Sequence, residues 1–104
     1  MNFKEILETL PTIDHLNGLN VKQGDEVIHH IPAVTGKLGS LRLYYALSQK
    51  FNGKLDRTSA RQGLEWFAEY VEEAKVNPGK HPNIDLLFNV INDDLVLNLE
   101  CIKK

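Results

Sequence analysis

Between Ser59 and Val76 the chain reads SARQGLEWFAEYVEEAKV, which puts Ala60, Leu64, Phe67, Ala68, Val71 and Ala74 on one face of a helix. An apolar stripe of that width must be covered by a second layer of structure. Ser59 and Gln62 can form a capping box and "NPG" can end the segment, so the spacing predicts one helix of about 17 residues. Its outer face carries Arg61, Glu65, Glu69, Glu72 and Glu73. Arg61 and Glu65 can pair, whereas the later glutamates repel one another and leave an exposed acidic patch.

The covering layer is legible in strand-like alternation. Leu95, Leu97, Leu99 and Cys101 alternate with Asn98 and Glu100, the pattern of a strand with one buried face. Upstream, "IDLLFNVI" fits either a short helix capped by Asn83 or a partner strand. Inward-facing Leu86, Phe88 and Val90, with the tight "NDD" connection, favour a hairpin. "HLNGLNV" and "EVIHHIP" read as a first hairpin around Gly24 and Asp25, closed off by Pro32. A short N-terminal helix, capped by Asn2 with Glu5 reciprocating, ends at Pro11. The stretch from Leu41 to Phe51 fits strand or helix, and Ser40 as cap with Gly53 as terminator favours the helix. The expectation is an α+β fold of one domain, residues 1–104: a two-layer arrangement of two hairpins in an antiparallel sheet, covered on one face by helices.

Composition narrows function by exclusion. Twelve basic against fourteen acidic residues give a net charge of -2, without the positive field that binding a nucleic acid backbone requires. One cysteine, Cys101, cannot form an intrachain disulfide. The start "MNFKEILETLP" lacks a signal-peptide pattern, and no segment approaches the roughly 20 apolar residues of a membrane span, so a cytoplasmic setting without membrane contact is expected.

Chemistry-bearing residues fall in two groups. The first is a ligand set: His29 and His30, the loop "TGKLGS" with Lys37, Ser40 and Arg42, and the segment "KHPNID" with Lys80, His81, Asn83 and Asp85. Adjacent strand residues point to opposite faces, so His29 and His30 cannot share one site without a bulge. One of them, with His81 and Asp85 or Asp14, would make a mixed nitrogen and oxygen shell for a transition metal, although no "HExxH" or "CxxC" spacing supports it. "TGKLGS" lacks the spacing of a phosphate loop, but a helix opened by Ser40 would present amides beside Lys37 and Arg42, a modest anion site. No nucleophile arrangement is evident, and no motif implies a cofactor. The second group is Trp66 and Tyr70 beside Glu69 and Glu73, an aromatic patch rimmed by acids that suits a protein partner or a second copy of the chain.

"IHHIPAVTGKLGSLRLYYAL" together with "GLEWFAEYVEEAKVNPGKHPNIDLLF" resembles a family of small bacterial proteins of about 100 residues that carries only an unknown-function label. The resemblance covers nearly the whole chain. It implies a bacterial cytoplasmic setting and a compact domain, and it attaches no activity, ligand or catalytic residue to any position. The leading expectation is therefore an interaction or adaptor domain acting through the surface around Trp66. The alternative is a small-ligand or metal-binding protein, enzymatic or not, which requires a pocket that brings a paired histidine to the "KHPNID" segment.

Overall fold

The computed structural model describes residues 1–104: five helices packed against an antiparallel four-stranded sheet. Helix α1 (Phe3–Glu8) opens with the expected reciprocal cap, Asn2 Oδ1 accepting from Glu5 N and Glu5 Oε1 from Asn2 N. Strands β1 (Leu16–Gln23) and β2 (Glu26–Pro32) form the first hairpin, turning at Gly24 with φ +63°. Val21 pairs with His29 and Lys22 with Val27, which leaves Ile28 as the extra residue of a bulge.

Helix α2 (Leu38–Lys50) confirms the helical reading of this segment, but it begins earlier than expected. Lys37 occupies the cap position without a side-chain bond, and Ser40 lies inside the first turn. After the two-residue strand β3 (Lys54–Leu55), helix α3 (Arg57–Phe67) is capped by Asp56, whose Oδ1 accepts from the amides of Thr58 and Ser59. Ser59 is thus the reciprocating residue of the capping box and not its cap.

The expected long helix is broken. Ala68, at φ +52° and ψ -119°, separates α3 from α4 (Tyr70–Val76). An L-residue with a side chain rarely adopts these angles, and such a conformation costs about 1–3 kcal/mol. Contacts to α1 offset that cost. Past the break, Glu69 Oε1 accepts from Phe3 N at 2.8 Å, and the Tyr70 ring meets Phe3 edge-on at 5.3 Å.

Residues 84–91 form a helix instead of the expected hairpin strand: α5 spans Pro82–Asn92. Its buried residues Ile84, Leu87 and Val90 recur every three positions and pack largely against α3. The sheet also offers no place for a strand here. Order β2-β1-β4-β3 puts β1 and β3 on the two edges of β4 (Leu97–Lys103), so β4 pairs with sequence-distant strands.

One face of the sheet joins the helices in a core containing Leu19, Val21, Ile31, Leu97 and Leu99 with Leu41, Tyr44, Leu47 and Leu87. The other face is polar. There His30 Nδ1 bonds Asn20 Oδ1 at 2.7 Å, Asn20 Nδ2 donates to Glu100 at 3.3 Å, and Lys22 pairs with Glu100 at 3.6 Å. No helix is long and apolar enough to cross a membrane.

Candidate functional site: a cationic cleft between two helix starts

Helices α2 and α5 start beside each other, and a cleft of about 480 Å³ lies between their first turns. The first amide to close a helical bond in α2 is that of Leu41, to Lys37 O at 3.0 Å, so the N–H groups of Leu38, Gly39 and Ser40 remain open. In α5 the amides of Ile84 and Asp85 both close on His81 O, Pro82 has none, and Asn83 N is left open. Both helix dipoles therefore direct positive ends into one space.

The side chains add to that sign. Lys37 and Lys80 line the cleft, and no carboxylate does, in a molecule whose net charge is -2. Lys37 makes no ion pair and Ser40 Oγ makes no hydrogen bond. Lys80 Nζ donates to Glu73 Oε1 at 2.5 Å. That hydrogen bond holds the Glu73 carboxyl below its ordinary value, against a smaller opposing effect of desolvation and with a further contribution from His81. His81 Nε2 is shielded from water and has no hydrogen-bond partner; Glu73 Oε1, 3.5 Å away, is beyond good hydrogen-bond geometry.

Asn83 is the best-held polar group at the cleft. It is 7% exposed, its carbonyl accepts from Tyr44 Oη at 2.5 Å, and its Oδ1 lies 2.6 Å from His29 Nε2. An amide oxygen only accepts, so His29 Nε2 must carry the proton. With Oδ1 and the carbonyl both engaged, Nδ2 is left as a donor without a protein partner on a residue that lines the cleft. Tyr44 is fully buried, and loss of hydration pushes its hydroxyl far above the ordinary tyrosine value, so it stays a neutral donor.

Part of the lining is aromatic. Phe3 stacks on Phe67 at 5.5 Å, Tyr70 crosses Phe3 at 5.3 Å, and the Tyr70 and His81 rings are 5.7 Å apart. All four residues line the cleft.

A family model described as "Uncharacterized protein conserved in bacteria (DUF2322)" matches residues 3–101. The chain belongs to this family. The DUF2322 match takes in every residue that lines the cleft, from Phe3 to Ile84. Neither the curated proteins nor the solved structures contain a match.

The cleft thus gathers Lys37, Ser40, Lys80 and His81 from the first group of sequence candidates, with His29 contributing through Asn83. The others lie elsewhere. Arg42 reaches away from the α2 start to the carbonyls of Leu10 and Pro11, at 2.8 and 3.1 Å, and ties down the segment after α1. Asp85 Oδ2 accepts from Gly79 N at 2.9 Å, and His30 belongs to the open sheet face. No group of three or more His, Cys, Asp or Glu side chains is placed to hold a metal ion. Tyr70 joins the cleft, while Trp66 is half-buried with Lys50 Nζ 5.5 Å from its ring centroid. Glu69 and Glu73 are engaged by Phe3 N and Lys80.

Sequence reasoning missed Phe3 and Phe67, which read as ordinary core residues, and under the favoured hairpin reading it named Asn83 as a polar residue of the "KHPNID" segment, without its place at an open helix start. A signal for Asn83 exists in Pro82, since proline favours the first position of a helix and the next residue then opens onto its N-terminus.

Proposed function

We propose that this protein binds a small anionic molecule in the cleft between the starts of α2 and α5. The observation that carries the reading is Asn83: its side chain is held by His29 and its backbone carbonyl by Tyr44, which leaves its Nδ2 donor free in a cleft that Lys37 lines without an ion-pair partner. Nδ2 is open to solvent at the cleft surface, so a ligand acceptor would take the place of water there. The volume suits a small metabolite. The adaptor reading has weaker support, because Glu69 and Glu73, which would select a partner, already hold α1 and Lys80.

The test is an amide NMR titration of the 15N-labelled chain with inorganic phosphate at low salt. Binding is expected to shift Leu38, Gly39, Ser40 and Asn83 together, and to weaken as salt rises. The variant N83D keeps an acceptor for His29 but replaces the free donor with charge of the wrong sign, so it should lose about tenfold or more in affinity while keeping its fold. Shifts scattered over the surface, or undiminished binding by N83D, would overturn the assignment.

A further inference from the structure

The number of donors and the shape of the cleft narrow the class of ligand, on the reading that the cleft binds anions. We infer that it takes a phosphate monoester carried on a flat ring, with the phosphoryl group at the helix starts and the ring against Tyr70. Donors first. The open amides of Leu38, Gly39 and Ser40, the amide and Nδ2 of Asn83, Ser40 Oγ and Lys37 Nζ are more than the two oxygens of a carboxylate can engage. A phosphoryl group presents three terminal oxygens and nearly two charges at neutral pH. The doubly charged form also suits a space lined by Lys37, which has no ion-pair partner, and by Lys80, whose charge Glu73 shares.

The ring follows from what lines the rest of the cleft. A bare phosphate would leave most of a space of about 480 Å³ empty, so the ligand has a body. Sharing the cleft with the donors is Tyr70, 39% exposed, held in place edge-on by Phe3 at 5.3 Å and flanked by His81 at 5.7 Å. A tyrosine ring braced on two sides and open on its remaining surface is a platform for a second π-system, worth more than the same area of aliphatic contact. An alkyl phosphate would use the donors and leave this platform unused.

Isothermal titration calorimetry with four probes separates the parts: inorganic phosphate, glycerol 3-phosphate, phenyl phosphate and benzoate. Phenyl phosphate is expected to bind about tenfold tighter than glycerol 3-phosphate, with benzoate weaker than either. The variant Y70L should abolish the preference for phenyl phosphate and leave glycerol 3-phosphate unchanged, and Y70F should retain it. K37A should weaken both phosphates. Thermal melts and circular dichroism of each variant establish that it is folded. Equal binding of phenyl and glycerol phosphates overturns the ring, and benzoate matching phenyl phosphate overturns the phosphoryl group; in both cases the anion site stands. Silence from all four probes, inorganic phosphate included, overturns the site itself.

Discussion

Replacing Ala68 by glycine should make the protein more stable, although glycine ordinarily weakens a helical region. Ala68 sits between α3 and α4 at φ +52° and ψ -119°, angles in which its Cβ crowds the backbone, at a cost of about 1–3 kcal/mol. Glycine removes that strain. Against it stand about 0.4–1 kcal/mol for the greater freedom of glycine in the unfolded chain, and part of the ~0.8 kcal/mol that burying one methyl contributes, since Ala68 is only half-buried. The balance favours glycine by roughly 1 kcal/mol, which for a chain of this size raises Tm by about 4–8 °C. Urea denaturation followed by Trp66 fluorescence and by circular dichroism measures it: the midpoint should rise with an unchanged m-value. A lowered midpoint at constant m would show that the turn carries no strain, and the account of why the helix breaks would fail with it.

Two further changes read out the cleft's supports. Y44F removes the hydroxyl that donates to the Asn83 carbonyl, and losing that buried bond should cost about 0.5–1.5 kcal/mol in urea denaturation, whereas a neutral result would mean that the bond contributes nothing. E73Q tests the carboxylate that holds Lys80. The folded Glu73 carboxyl titrates below its ordinary value near 4.5, so its stabilising contribution is present above that pH and fades as pH falls through the lower folded value. Thermal melts of wild type and E73Q should therefore differ at neutral pH and converge in acid, and a difference that grows in acid would refute the pairing.

How much of this could be read in advance depends on where the deciding interaction sits along the chain. The Asn2 and Glu5 cap, the Gly24 turn and the alternation of Leu97 and Leu99 are settled within a few residues, and each stands in the structure as expected. The segment at 84–91 did not yield to the same reasoning. Leu86, Phe88 and Val90 suit a strand while Ile84, Leu87 and Val90 suit a helix, and the choice falls to the helix because β1 and β3 already occupy both edges of β4.

The same division holds for the candidate site. Lys37, Ser40 and His81 stood out by residue type, but Arg42 and Asp85 stood out equally and proved to serve the loops after α1 and before α5. Charge and periodicity, which depend on local spacing, set the α+β class and the polar and apolar faces. Packing alone brought the starts of α2 and α5 together, broke the helix at Ala68 and turned Asn83 between His29 and Tyr44. Those contacts join positions 39 and 54 residues apart, and a contact of that range has no local signature because its energy exists only once both partners have been carried to the same place.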